Sequence, residues 1–224
     1  RATIDSLAAA ASATFAGGEK GIALSGGGAG SRNVVMSRAR AYVTESILVS
    51  ARDVVIRGVE SSNITASVLT ISIAIGAGST SGVSASVGAS IARNFIGYTE
   101  DEVRVPSAIH ASSLNSDIKA TGNLSLTASS LHIIDSHVFT GSAAVAGGLG
   151  DDGFSVALSG SGVNSLNLVA ADVLASIDGT KTSGIEAAQI SLVSNDTSRI
   201  QALAGAASLA ISFAGDKTVS ASVG

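Results

Sequence analysis

The stretch SNITASVLTISIAIGAGSTSG, residues 62–82, alternates small or hydroxyl-bearing residues with aliphatic ones over a long run. One set is Val68, Thr70, Ser72 and Ala74, and the other is Leu69, Ile71, Ile73 and Ile75. A period of two is that of a β-strand, since successive side chains point to opposite faces. The Gly-rich end predicts a turn, and VSASVGASIARN (83–94) predicts a return strand. We therefore expect two long strand arms joined by a glycine tip.

Three anchors recur along the chain in one order. The first is an isoleucine at Ile4, Ile64, Ile134 and Ile200, with spacings of 60, 70 and 66 residues. The second is an asparagine at the end of the return arm, at Asn33, Asn94 and Asn167. The third is a short strand that begins near Arg52, Gly122 and Ala188. Because three features recur in the same order, the sequence predicts a continuous array of repeat units of about 66 residues. The units are 1–62, 63–131, 132–198 and a partial unit 199–224.

Units of this kind predict an all-β, repetitive β-solenoid, similar to a parallel β-helix, in which each unit covers the open edge of its neighbour. We expect the four isoleucines in equivalent inward positions, and core residues from the shorter strands at Val54, Ile56, Leu124, Leu126, Ile190 and Leu192. The asparagines fit either a left-handed turn or a ladder of stacked amides. One wide rung per unit and about three ordinary rungs are both compatible with the repeat length.

The composition excludes several classes of partner. The net charge is −4 and no basic stripe with interleaved aromatics occurs, so we expect no nucleic acid partner. The chain has no Cys, which removes disulfides and zinc–thiolate sites. The most apolar run is short and interrupted by Ser and Thr, so we expect no membrane insertion of this segment. Arg1 stands where an initiator Met would be, which predicts excision from a longer chain.

One run fits a calcium pattern. Residues 147–154, GGLGDDGF, match the nonapeptide that binds Ca²⁺ in stacked β-rolls, with Asp151 and Asp152 as the candidate ligands. The other tips read AGGEKG, GAGSTSG and AGDKT, so the acidic pair does not recur. A β-roll site needs ligands from successive turns, and here the next equivalent turn lies a whole unit away. We therefore expect a glycine turn, with no metal and no cofactor.

Other polar groups do not form a recognisable catalytic pattern. In HIIDSH, Asp135 and His137 share one face of a strand, whereas His132 points to the other, so the three cannot converge on a metal. His110 has no partner nearby in sequence, and no nucleophile elbow accompanies the abundant serines. We predict that the chain is not an enzyme.

GNLSLTASSLHIIDS (122–136) and SVGASIARNFIG (86–97) carry a resemblance that covers essentially the whole chain. They resemble the Ala/Gly/Ser-rich β-strand repeats of giant bacterial surface adhesins, from cyanobacteria and other Gram-negative-type bacteria. DVVIRGVESSNIT (53–65) departs from that pattern by its extra charge, which predicts a more exposed strand.

The resemblance implies an exported, non-enzymatic structural or adhesive protein in the extracellular space or on the cell surface. Implied partners are copies of itself or adjoining repeats of a longer chain, and cell-surface glycans or another cell. We expect head-to-tail assembly into a fibre through strand stacking. The alternative function is a β-helix passenger domain that acts on or binds polysaccharide, since parallel β-helices also host such enzymes.

Overall fold

The structure is a computed structural model that describes residues 1–224, and nearly all of the chain is β-strand. The strands are β1 (Ala2–Ala16), β2 (Lys20–Val35), β3 (Arg38–Thr44), β4 (Ile47–Ser50), β5 (Val54–Gly78), β6 (Ser81–Ile96), β7 (Ser107–Leu114), β8 (Asp117–Ala120), β9 (Leu124–Gly148), β10 (Phe154–Val169), β11 (Ala171–Asp178), β12 (Ile185–Glu186), β13 (Ile190–Ala214) and β14 (Lys217–Val223).

The strands form four parallel sheets, and each sheet takes one strand from every successive unit. The sheet orders are β1-β5-β9-β13, β2-β6-β10-β14, β3-β7-β11 and β4-β8-β12. All pairings within these sheets are parallel and in register. The predicted β-solenoid is confirmed.

Each repeat unit makes one wide coil. The short third-anchor strand and the outgoing arm form one continuous strand of 25 residues, as in β5 and β9. The unit boundaries at 62/63, 131/132 and 198/199 therefore fall inside strands. The rest of the coil is the return arm and two short strands, which lie in separate sheets. Of the two arrangements compatible with the repeat length, the molecule adopts the single wide rung.

One end of the coil is a three-sided stem with an aliphatic core. Its sides are the beginning of the long strand and the two short strands, as in residues 54–60 with β7 and β8. The core residues are Val54, Ile56, Ile109, Ala111, Ile118, Ala120, Leu124, Leu126 and Ala128. The charged segment at the start of β5, residues 54–60, is more exposed than its equivalent in β9, as its extra charge predicted. Its outward residues are exposed where those of β9 are half-buried, because β1 begins opposite Ser62 and the segment pairs with β9 alone.

The other end of the coil is a two-sheet wing, in which the long strands from about residue 62 of β5 face the return strands. Its interior is lined mostly by small and hydroxyl-bearing side chains. The outgoing strands carry an in-register row of Ser12, Ser72, Ser142 and Ser208, and the return strands carry Ser25, Ser86, Ser159 and Ser222. The two rows bond across the interior, with Ser86 Oγ donating to Ser72 Oγ at 2.9 Å and Ser142 and Ser159 hydroxyls 2.7 Å apart.

The wing narrows towards its tip, where the second coil has glycine at inward positions whose register partners in the third coil are Ala146 and Ser155. A Cβ on Gly82 would lie 2.8 Å from the backbone nitrogen of Gly147 in the facing sheet, and one on Gly148 would lie 2.6 Å from the Phe154 carbonyl oxygen. Both distances are shorter than any ordinary contact of a Cβ atom. Because branched side chains cannot enter this space, the aliphatic residues of the alternating arms point outward, and the small ones point inward.

The four anchor isoleucines lie in register on the inner face at the base of the wing. Ile64 and Ile134 are fully buried, and Val35 and Ile96 pack against them. The expectation that Ile190 and Leu192 are core residues is wrong: each is 45% exposed, and Ile200 is also exposed. These residues lie on β13, an edge strand of its sheet, so no further coil covers them.

We predict that Gly82→Ala destabilises the protein by about 2 kcal/mol, because the added methyl group must push the two sheets of the wing apart. The measurement is the urea midpoint of unfolding. Gly141→Ala is the matched control, since a Cβ there meets nothing within 4 Å. It should be neutral or slightly stabilising. Equal effects of the two substitutions would contradict a sterically closed wing interior.

Candidate functional site

The three anchor asparagines form a hydrogen-bonded ladder inside the solenoid. Asn33 Nδ2 donates to Asn94 Oδ1 at 2.7 Å, and Asn94 Nδ2 donates to Asn167 Oδ1 at 2.8 Å. All three lie within strands, and none has a positive φ, so the ladder and not the left-handed turn describes them. Asn94 is fully buried. Each amide therefore fixes the register of one coil on the next, since a displaced coil would leave a buried amide without a partner.

A second inter-coil contact is a carboxylate held by a backbone loop. The Asp117 side chain, 2% exposed as a residue, accepts hydrogen bonds from the loop that precedes β12 in the next coil. The donors are the backbone nitrogens of Lys181, Thr182, Ser183 and Gly184 and the Thr182 hydroxyl, at 2.8 to 3.1 Å. The Ser183 N–H above all, aided by those of Thr182 and Gly184, holds the pKa of Asp117 well below its usual range, although burial opposes this.

A buried polar cluster lies where the stem meets the wing. His132 Nδ1 is 3.1 Å from Glu60 Oε2, and both side chains are almost completely buried. The Ser62 hydroxyl donates to the other oxygen of Glu60. His132 Nε2 has no hydrogen-bond partner. Because Ser62 bonds to the carboxylate and not to the imidazole, these residues do not assemble a histidine-activated serine nucleophile.

The calcium candidates lie at the outer end of the wing. Asp151 and Asp152 are in the exposed turn between β9 and β10. The Gly153 N–H donates to the Gly150 carbonyl across that turn at 2.9 Å. The structure contains no group of three or more His, Cys, Asp or Glu residues that could hold a metal ion. Absence of calcium binding stays a prediction.

The remaining histidines face outward. Asp135 and His137 lie on the outer face of β9, opposite to His132. His110 does have a partner, because its Nε2 is 3.0 Å from Asp172 Oδ2 in the next coil. The sequence could not indicate that contact, since it joins residues 62 positions apart.

The facing serine rows are the feature that sequence reasoning missed most clearly, although a signal existed. Ser12, Ser72, Ser142 and Ser208 each stand eight positions after an anchor isoleucine. Ser25, Ser86 and Ser159 each stand eight positions before an anchor asparagine. Aligning the arms on the anchor residues would therefore have found both serine rows, because each row lies at a fixed distance of eight positions from its anchor. Glu60 also had a signal, since Glu60 and Asp196 each stand four positions before an anchor isoleucine and occupy equivalent register positions. Asp117 had none, because it has no repeated counterpart.

Comparison of the chain with protein-family models, curated proteins and solved structures finds no match. The structure has no helix with the length and hydropathy that are needed to span a membrane.

We predict that Asn94→Ala lowers the free energy of unfolding by about 2–4 kcal/mol, because it leaves the amides of Asn33 and Asn167 without their ladder partner and opens a small cavity. Chemical denaturation measures the change. Asn164→Ala is the control, since Asn164 is an exposed residue of β10, the strand that carries Asn167. A loss of similar size at Asn164 would argue against a stabilising ladder.

We predict that Asp117→Asn removes an acid-sensitive contribution to stability. A carboxyl whose pKa is lowered on folding stabilises the fold fully above its unfolded pKa, about 3.9, and loses this effect as the pH falls towards the folded pKa. The variant should be less stable than the parent at pH 7, and the difference should shrink below about pH 4.

Hydrogen exchange of the amides at 181–184 provides the local readout for this substitution, because these amides should lose protection in the variant at pH 7. Asp151→Asn, in the exposed tip turn, is the control. A difference between parent and Asp117→Asn that is independent of pH would contradict the charged interaction.

Proposed function

We propose that the chain is a structural segment of an exported bacterial surface or extracellular fibre, which extends by stacking coil on coil. The single observation that carries this proposal is the pair of open ladders at the ends of the two large sheets. β1 and β13 are edge strands of one sheet, and β2 and β14 are edge strands of the other. Unpaired parallel edges of this length are templates for another strand of the same kind.

Further coils would meet side chains that match those inside the stack. Asn33 uses its amide nitrogen for Asn94, Ser6 and Ser31, and its carbonyl oxygen accepts no hydrogen bond within the chain. An asparagine of an added coil would donate to that oxygen, as Asn33 donates to Asn94. The exposed Ile200 would be covered by the equivalent isoleucine of the added coil, as Ile64 is covered by its neighbours within the stack. Adjoining repeats of a longer chain would extend both the asparagine ladder and the isoleucine row. Another copy of this chain would pair β13 with β1 in the same register, but its β14 aligns with β2 only as far as Gly26 and so leaves Asn33 without a further partner.

Such contacts are head-to-tail, because each end meets the opposite end of the next array. A heterologous contact with little rotation does not close, so growth produces a filament and not a small ring. Adhesion to cell-surface glycans or to another cell belongs to the same proposal and is supported by the sequence resemblance alone. The extracellular or surface location is supported by that resemblance too.

The test is a register-specific cross-link. Asp5 and Gln201 occupy equivalent outward positions on the two edge strands, since both align through Thr65 and Asp135. In a stacked assembly they would lie about 4.8 Å apart between copies, whereas within one copy they are three strand spacings, about 14 Å, apart. The chain has no cysteine, so Asp5→Cys with Gln201→Cys places the only two thiols.

We predict that a thiol cross-linker too short to span about 14 Å yields a ladder of covalent dimers, trimers and larger species on a denaturing gel. The control pairs Gln201→Cys with Ala13→Cys, which lies eight positions further along β1, about 26 Å away. The control should remain monomeric. Monomer alone from both pairs, or equal cross-linking of both, would overturn register-specific stacking of this segment.

A further inference from the structure

The two outer faces of the wing are apolar and carry no charged residue between the base of the wing and its tip. Face A is the outer side of the outgoing strands, and its large residues are Leu7, Phe15, Leu69, Ile71, Ile73, Ile75, Phe139, Leu203, Leu209 and Phe213. Face B is the outer side of the return strands, and its large residues are Ile22, Leu24, Val87, Ile91, Phe154, Leu158, Val219 and Val223. Charged residues occur at the base of the wing, as at Arg32 and Arg93, and at the tip turns, as at Asp151 and Asp152.

These faces are exposed for a reason that lies in the fold. Beyond the level of Thr70 and Thr140 the wing interior holds only small and hydroxyl-bearing side chains, so the chain has no means of covering the outward aliphatics there. Leu69, Ile71 and Ile73 are 42%, 43% and 37% exposed, although all three lie in the second of four strands, where both neighbouring strands are present. These residues are therefore exposed because nothing covers the outer face of the sheet, and not because a neighbouring coil is missing. Contiguous apolar surface of this extent marks an interaction site.

Both faces are corrugated in the same way. On face A, Ile71 stands between Ala11 and Gly141, and Ile73 stands between Ala13 and Ala143. Over these two levels β5 is thus a ridge with a groove on each side, and the grooves end at Phe139 beside Leu69 and at Phe15 and Val145 beside Ile75. On face B, Val87 of β6 stands between Gly26 and Gly160. The grooves of face B are the deeper ones, because glycine rather than alanine forms their floor.

The size of each face suits a specific protein contact. Four strands about 4.8 Å apart and about ten residues long at 3.3 Å per residue present about 600 Å². Covering one face A with one face B removes roughly 1,200 Å² in total, the lower limit for specific interfaces. Each added coil enlarges the contact in proportion.

We propose that the occupant of these faces is a second copy of this chain, with the face A ridge of one wing seated in the glycine grooves of face B of the next. The ridge of β5 and the grooves along β2 and β10 are each one strand wide, so a displacement by one strand spacing, about 4.8 Å, interdigitates them. The result is a dry, closely spaced packing of sheets. Because face A and face B are different surfaces, the contact adds layers without closing.

A lipid bilayer fits the same surface less well. The tips at the far end of the wing carry Glu19 with Lys20, Asp151 with Asp152, and Asp216 with Lys217. Insertion of the wing would carry these charges into or across the hydrocarbon layer, at a cost of several kcal/mol. The glycines that form the grooves of face B also expose peptide groups, and lipid acyl chains provide no hydrogen-bond partners for them. A matching protein ridge fills those grooves.

This contact joins wings side by side, whereas the contact proposed above joins coils end to end, and the lateral contact does not depend on the axial one.

The test uses Ile73→Lys on face A and Val87→Lys on face B, both at outward positions of the wing, 37% and 59% exposed. Val55→Lys is the matched control: Val55 is 65% exposed on the same strand as Ile73, but lies on the stem. The readout is particle width in electron micrographs and sedimentation, which reports lateral layers whether or not the particles elongate.

We expect layered particles from the parent and from Val55→Lys, and single-width particles from each wing variant. A buried lysine should raise the concentration at which layering begins by roughly tenfold or more. A mixture of the two variants should give particles two wings wide, since Ile73→Lys retains face B and Val87→Lys retains face A. Circular dichroism checks that both variants keep the parent's β content, and Ile73→Thr supplies a milder change if Ile73→Lys does not.

Three results would overturn the proposal. The parent could remain single-width at high protein and salt concentration. Each variant alone could form pairs, which would mean that like faces join. Phosphatidylcholine vesicles could bind the parent but not Ile73→Lys, which would make lipid the occupant. The cross-linked ladder of Asp5→Cys with Gln201→Cys reports axial stacking separately, so failure of one contact is distinguishable from failure of the other.

Discussion

In-register parallel pairing of each coil on the next organises this molecule. It places identical or similar residues one strand spacing apart along the axis, so a polar side chain inside the solenoid has its own copies and the facing sheet as its available partners. Asparagine bonds to its own copies because its amide both donates and accepts, and Asn94 bonds to Asn33 on one side and to Asn167 on the other. Serine bonds to the facing sheet through a hydroxyl that donates to one neighbour and accepts from another, as Ser72 does with Ser25 and Ser86.

A second constraint acts across the axis, through the small distance between the two sheets of the wing. That distance decides which half of an alternating strand is inside. In most half-buried strands the aliphatic side faces the core. Here the serine, threonine, alanine and glycine side faces inward, because Gly82 and Gly148 already touch the facing backbone. The stem shows the opposite choice, since its three sides enclose room for Ile109, Ile118 and Leu126. One strand, β5, changes its inward residue type between these two parts.

The sequence was sufficient for the order and register of the coils, because parallel stacking preserves spacing: the isoleucine and asparagine anchors pair as their recurrence predicted. Extra residues of the second coil are absorbed between β6 and β7, outside the ladders. Period-two alternation does not state which face is buried, so the inward serine rows went unrecognised. Nor could it reveal Asp117, whose partners are backbone groups, because an unrepeated residue leaves no periodic trace.

The direction of the backbone hydrogen bonds has a mechanical consequence. In a solenoid these bonds run along the axis, parallel to a pulling force applied at the two ends of the stack. The β5–β9 pairing extends over 25 residues and the β6–β10 pairing over 16, so a load spread evenly over the end of the stack is shared by all of these bonds. A load applied at one point of a coil instead opens the bonds in sequence from that point. Because successive coils are joined by the covalent chain, a junction that opens lengthens the rod by the residues of one coil and does not sever it.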